Sequence, residues 1–172
     1  FERAGIPPAR GFRAPYGSLV PATRWAYGVL EELGFTYSTS VIGARNPRYG
    51  WPDFGPDRPR RQGKLVELPV TLTHVPGLNV PLVGGVYLRI LPFPLVRAIF
   101  RKRLQGKDPI VGYLHPFDVD STEERFRFPE LNPFFGWLMY QNRAAVFPRL
   151  RALFAEGVTV ERYADYVSKL EI

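Results

Sequence analysis

A chain of 172 residues with 45% hydrophobic and 15% aromatic side chains can bury a sizeable core and is too apolar to be disordered. It has no cysteine, which excludes a disulfide framework and thiolate metal sites and leaves the compartment open. The formal net charge of +7 suits anionic partners, but the densest basic runs, Arg58-Pro59-Arg60-Arg61 and Arg101-Lys102-Arg103, lack the interleaved aromatics of a base-stacking platform. They read as solvated surface, with no nucleic acid as partner.

Residues 1–16 read as a lead-in and a short strand, from which Gly11-Phe12-Arg13-Ala14-Pro15-Tyr16-Gly17 emerges, a cation between aromatics on a rigid turn. Phe1 in place of Met predicts a natural N-terminus upstream of this chain. Pro21 suits the first helical position. Ala22, Trp25, Ala26, Val29, Leu30 and Leu33 recur at three- and four-residue spacing and predict one apolar stripe, which Gly34 ends in a left-handed conformation. Residues 35–41 are β-rich, so a strand, loop, helix and strand follow one another, the pattern of a parallel α/β layer.

Residues 42–64 are crowded with proline, glycine and arginine without periodicity and read as a long surface loop. A short strand over 65–70 follows, with Pro69 marking an edge or a strand end. Gly84-Gly85 introduces residues 86–91. Leu95, Val96, Ile99, Phe100 and Leu104 then form a second helical stripe ended by Gly106, and 110–114 read as a buried strand delivering His115 at its C-terminal end. An aromatic stretch runs to about Tyr140, a helix over 147–154 stops at Gly157, and Thr159 can cap a last helix with Tyr163, Tyr166, Val167 and Leu170. The apolar region 80–100 is broken by Pro81, Gly84, Gly85, Arg89, Pro92, Pro94 and Arg97, so it is no clean membrane span. Membrane association through 95–104, flanked by Arg97, Arg101, Lys102 and Arg103, is weighed against a helix with a solvated basic face, and the latter is preferred.

Two features carry chemistry. Arg13 stands in the Arg13-Ala14-Pro15-Tyr16 turn, and His115 at a strand end can act as general acid or base. Alone each is weak, because a lone arginine is usually a surface charge and a strand-end histidine is more often a satisfied structural group. Asp118 and Asp120 alternate on one segment with His115, which suits two metal ligands and not a whole site. Gly84-Gly85 is no phosphate loop, since no Lys-Ser or Lys-Thr follows, and no Gly-x-Ser-x-Gly elbow for a serine esterase exists.

Taken in order, 11–17, the helix with Trp25 and Glu31-Glu32-Leu33-Gly34-Phe35, and Tyr37-Ser38-Thr39-Ser40-Val41 resemble the central motif region of the polysaccharide deacetylases, the NodB-homology group of carbohydrate esterase family four. So do Glu67-Leu68-Pro69-Val70, 84–92, and Tyr113-Leu114-His115-Pro116-Phe117-Asp118-Val119-Asp120, the last two most like the branch linked to capsular or exopolysaccharide synthesis. The resemblance implies a single α/β domain, the C-terminal portion of a distorted (β/α) barrel, with 1–125 bearing the motifs and 126–172 forming closing helices. It implies hydrolysis of N-acetyl groups on an amino-sugar polysaccharide or oligosaccharide, with a divalent metal, usually zinc, activating water. By position Arg13 would orient the aspartate that serves as general base, the Tyr16 backbone N–H would help hold the oxyanion, and His115 would protonate the leaving amine. Pro15, Tyr113 and Leu114 would line the substrate.

This sequence departs from that pattern in having neither the Asp-Asp pair nor the His-x-x-x-His helix that supply the base and the metal ligands; its histidines are His74 and His115 alone. The metal is therefore expected on residues outside this chain, and the isolated chain is expected to be inactive. Ser38 stands where relatives often carry Asp, which bears on the tuning of His115, and Tyr113 stands where Leu is common, which bears on the acetyl pocket. His74 reads as a surface or interface residue. The alternative function is a non-catalytic carbohydrate- or partner-binding module, motivated by Phe117, Phe126, Phe128, Phe134, Phe135, Trp137 and Tyr140, although core or helix-docking roles are the commoner use of such residues. Unpaired strand edges in a partial barrel predict self-association of the isolated chain.

Overall fold

A computed structural model describes residues 2–46, 49–126, 129–130 and 132–170. The helices are α1 (Ala26–Glu32), α2 (Gly85–Ile90), α3 (Phe93–Leu104), α4 (Pro116–Val119), α5 (Pro133–Tyr140), α6 (Val146–Phe154) and α7 (Tyr163–Ser168). The strands are β1 (Gly11–Phe12), β2 (Tyr37–Ser38), β3 (Arg60–Gln62) and β4 (Leu65–Glu67). The chain divides into two compact units, Phe1–Leu72 with Val160–Ile172, and Thr73–Thr159.

The first unit is built on a sheet of order β1-β2-β4-β3. β1, β2 and β4 run parallel, with Gly11 opposite Tyr37 and Ser38 opposite Glu67, and β3 is antiparallel to β4. The architecture is thus mixed α/β, and among the described residues this sheet is open and not closed into a barrel. Its strands are two or three residues long because turn residues interrupt them, Pro15 after β1 and Gly63 between β3 and β4. Leu19, Tyr27, Leu30, Val41, Phe54 and Leu65 form the core, with Phe12, Ala14, Phe35 and Trp51 packed around them. Burying each of these larger apolar side chains is worth about 1.5–3 kcal/mol.

Of the stripe foreseen on α1, Leu30 faces this core and most of the rest does not. Trp25 and Leu33 are each 69% exposed and Val29 is 43% exposed, whereas Tyr27 and Leu30 are buried. The helix is rolled because Tyr27 has an apolar ring and a hydroxyl that meets a buried partner, Glu67, at 3.1 Å. A count of apolar residues gives that hydroxyl no weight. Gly34 ends the helix with φ +80°, as its position foretells. The segment 42–64 is also more than a surface loop. Phe54 is buried in it, the Asp57 carboxylate accepts from the Leu72 N–H at 2.7 Å, and its end forms β3, turned onto β4 through Gly63 at φ +65°.

In the second unit, Leu82, Leu88, Leu91, Val96, Phe100, Val146 and Leu153 make the core. The stripe on α3 places Val96 and Phe100 in it, and Gly157 stops α6 with φ +84°. On the polar side of α3, Arg97 and Arg101 both reach Glu156, at 2.5 and 2.6 Å. The strand foreseen over 110–114 is absent. Tyr113 makes one parallel bridge to Gly84, bounded by Tyr113 N–H to Val83 O at 2.9 Å and Gly85 N–H to Tyr113 O at 3.0 Å. No ladder extends from it because its partner segment turns into α2 at Gly85, and Gly112 lies so close to Val83 that a Cβ would sit 2.5 Å from the Val83 carbonyl oxygen. His115 therefore arrives on a loop and caps α4. No helix among the described residues is long and apolar enough to cross a membrane.

Candidate functional site

Arg13, Pro15 and Tyr16 share one loop of the first unit. β1 aims it, and Gly11 is required there because a Cβ would lie 2.1 Å from the Tyr37 ring. Arg13 is exposed, and one of its terminal nitrogens donates to the Thr39 hydroxyl at 3.1 Å and to the Tyr163 hydroxyl at 3.0 Å, with the guanidinium 5.7 Å from the Tyr163 ring centre. These partners among the described residues are neutral oxygens, so the fork is held in place without being neutralised. Tyr163, foreseen only as a helix residue, is what steadies it from α7.

Tyr16 adopts φ 58°, ψ 15°, a left-handed conformation that is uncommon for a bulky side chain, and its ring is 79% exposed. The turn is closed on either side by Gly17 N–H to Ala14 O at 3.2 Å and Ser18 N–H to Pro15 O at 3.1 Å. No acceptor for the Tyr16 N–H exists among the described residues. Gly17 continues the left-handed path at φ +61°, where a Cβ would lie 2.7 Å from Ile42.

A buried polar relay supports this loop from below. Ala14 N–H donates to Ser40 Oγ at 2.8 Å, and Ser40 Oγ lies 2.8 Å from Ser38 Oγ. Glu67, wholly buried, accepts from the Ser40 and Val41 N–H groups at 2.6 and 3.0 Å through one oxygen and from the Tyr27 hydroxyl through the other. Burial pushes the Glu67 carboxyl above its ordinary range, opposed by the hydrogen bonds from Ser38, Ser40, Val41 and Tyr27. Burial and then the Glu67 charge push the Tyr27 phenol above its own range. Nothing in the spelling Glu67-Leu68-Pro69 announces this role, which depends on three segments distant in sequence.

Tyr113, Leu114 and His115 lie together in the second unit. The His115 ring stacks on Phe117, with centres 4.9 Å apart and planes 15° apart, and meets Tyr113 edge-on at 5.7 Å. Its Nδ1 is 3.2 Å from Asp118 Oδ2, which also accepts from the His115 backbone N–H at 3.0 Å. Asp118 is 1% exposed, and its Oδ1 lies 3.1 Å from Nε of Arg89, itself 1% exposed. That contact is held by charge, since the N–H is not aligned as a hydrogen bond. Gly84 and Gly85 make room for it. A Cβ on Gly84 would lie 3.0 Å from the Tyr113 ring, and one on Gly85 would lie 3.0 Å from Asp118 Oδ2, with φ already at +29°. The paired glycines and the His-Pro-x-Asp spelling are the available signals for this cluster, and the sequence marks Asp118 only as a carboxylate near a histidine.

Arginines hold the remainder of this unit by closing carbonyl groups. Arg89 donates to the Leu138, Met139 and Gln141 carbonyls at the end of α5, at 3.2, 2.7 and 3.0 Å. Arg149 donates to those of Leu88, Arg89 and Leu91 at the end of α2, at 2.6, 3.1 and 3.1 Å. Arg143 is buried, donates to Met139 O and Glu123, and lies 4.3 Å over the Tyr140 ring. Burial pulls the Arg89 guanidinium down from its ordinary range, with Asp118 opposing. Phe126, Phe134, Phe135 and Trp137 are exposed, Phe117 is half-buried, and Phe128 lies outside the described residues.

Among the described residues no group of three or more His, Asp or Glu side chains could hold a metal ion. These described residues do not fit a metal centre. Residues 39–166 match the family described as a domain of unknown function, DUF3473. No curated protein and no solved structure matches the chain.

Proposed function

Since the chain belongs to DUF3473, whose description assigns no function, its chemistry must be read from its own residues, and we propose that it is part of a metal-dependent polysaccharide N-deacetylase on a partial, distorted (β/α) barrel. The substrate is an N-acetylated amino-sugar polymer or oligosaccharide. The observation that carries this reading is the Arg13-Ala14-Pro15-Tyr16 turn, with Tyr16 left-handed and exposed and its N–H without an acceptor among the described residues. A strained backbone donor with no internal acceptor is what a developing oxyanion requires, because it needs no reorganisation as charge grows.

Amide hydrolysis adds the elements of water across the C–N bond. Oxygen attacks the acetyl carbon, the carbonyl oxygen becomes an oxyanion, and the C–N bond breaks as the nitrogen gains a proton, giving acetate and an amine. By the resemblance, the Tyr16 N–H is assigned to the oxyanion and the Arg13 fork to orienting a carboxylate base. His115, held through Nδ1, is assigned by the same resemblance to give the proton to the leaving nitrogen from Nε2. Pro15, Tyr113 and Leu114 line the substrate. Any metal ligands, with zinc as the expected ion, are proposed to lie outside these residues.

The test is acetate release from N-acetylglucosamine oligosaccharides by the natural protein supplied with zinc. His115→Ala and Arg13→Ala should each lower turnover on the order of 10²-fold or more, as for other positioned acid–base groups. Near-normal turnover in both variants overturns the assignment, as does acetate release by the 172-residue chain alone.

A second reading, oligosaccharide binding without catalysis, is favoured by one observation: Phe134, Phe135 and Trp137 are 60%, 53% and 57% exposed, where docking against a core would bury them. On that reading the chain binds chitooligosaccharide with no metal present, and Trp137→Ala abolishes binding in calorimetry. Unchanged binding by the variant would remove it.

A further inference from the structure

We propose that Asp118, braced by Arg89, is a positioning residue that locks His115 in its Nδ1–H tautomer and so makes Nε2 the nitrogen presented to substrate, an inference that rests on reading His115 as the acid. A carboxylate three residues after a helix cap often accepts the cap's backbone N–H, and Asp118 does so. Capping alone needs one oxygen and no buried cation. Here the same Oδ2 also faces Nδ1 at 3.2 Å, while Oδ1 faces the buried Arg89 at 3.1 Å. With each oxygen committed to a different partner, the carboxylate cannot turn. An ionised carboxylate only accepts hydrogen bonds, so the proton of a neutral imidazole facing it must reside on Nδ1.

The surroundings fix the remaining freedom. The stack on Phe117 and the edge contact with Tyr113 hold the ring plane, and Gly85 leaves the space that Asp118 occupies. The proton balance follows. Imidazolium carries N–H on both nitrogens, the Nε2 proton leaves to the amine, and the ring returns to the neutral Nδ1–H form already paired with the Asp118 carboxylate. No ring flip separates one turnover from the next.

The test is ¹⁵N NMR of the histidine-labelled chain with the imidazoles neutral, His74→Gln assigning the signals. The wild-type His115 should show a pyrrole-type Nδ1 and a pyridine-type Nε2. In Asp118→Asn the single amide oxygen can serve either Arg89 or the His115 backbone N–H and not both, so the Nδ1 proton loses its fixed acceptor and the Nδ1–H share should fall. In Asp118→Ala the ring should revert to the Nε2–H form preferred in water. An Nε2–H wild type, or an Asp118→Ala variant that keeps the Nδ1–H pattern, overturns the proposal; if neither variant gives a folded amide spectrum, the wild-type tautomer alone decides it. The ring nitrogens report separately from the acetate assay. A locked ring in a protein that releases no acetate upholds the positioning and removes the deacetylase reading, and an Nε2–H wild type in an active protein does the reverse.

Discussion

Replacing Arg89 with methionine should cost the second unit about 3–5 kcal/mol, the range for breaking a buried ion pair from one side. Methionine fills much of the volume, so the loss is chiefly electrostatic. Asp118 would be left as a buried carboxylate without its cation, and the Leu138, Met139 and Gln141 carbonyls would lose a shared donor. Urea denaturation followed by far-ultraviolet circular dichroism reads this, because α2 to α6, most of the helical residues described, belong to the second unit. Adding Asp118→Asn to the methionine variant should recover part of the loss, because the uncompensated charge is then gone. A single-variant loss below about 1 kcal/mol would mean that the pair does not hold the unit together.

Glu67→Leu should cost the first unit on the order of 4 kcal/mol, because the Ser40 and Val41 N–H groups and the Tyr27 hydroxyl would be buried without an acceptor, at about 1–3 kcal/mol for each orphaned group. Glu67→Gln should cost far less, since the amide oxygen can serve both N–H groups and the NH₂ can face the phenol oxygen. The pH dependence has a definite sign. Burial raises the folded-state Glu67 carboxyl above its unfolded value, so its contribution is fully present below the ordinary glutamate range and is lost as pH rises through the raised folded value. The glutamine variant should lack that slope. Denaturant midpoints measured across the acid range will show it, and identical slopes in wild type and variant would refute the assignment.

Local pattern announced what local interactions decide. The α/β class, the parallel pairing near Arg13, the stops at Gly34 and Gly157 and the stripe on α3 were all legible because propensity, spacing and tertiary contact agree there. Distant contacts set the rest. Tyr27 rolls α1 so that Leu30 is the one residue of its apolar stripe that is fully buried, and the early start of α2 reduces the strand at 110–114 to one bridge. The candidate site divides the same way. Arg13, Tyr16 and His115 stand out because turn chemistry and residue type mark them, while Thr39, Tyr163, Glu67 and Arg89 act through contacts that no short window contains. Asp118 lies between these cases, visible as a carboxylate near a histidine but intelligible only once Arg89 claims its other oxygen.

The carbonyl-closing arginines also change what the net charge of +7 means. Binding to a polyanion is driven by counterions released as exposed cations meet phosphates or carboxylates, one for each contact made. Arg89 and Arg143 are buried, and one nitrogen of Arg149 serves three carbonyls. These three cations are mortar, and this share of the second unit's basic composition goes into internal masonry that would release few ions to any partner.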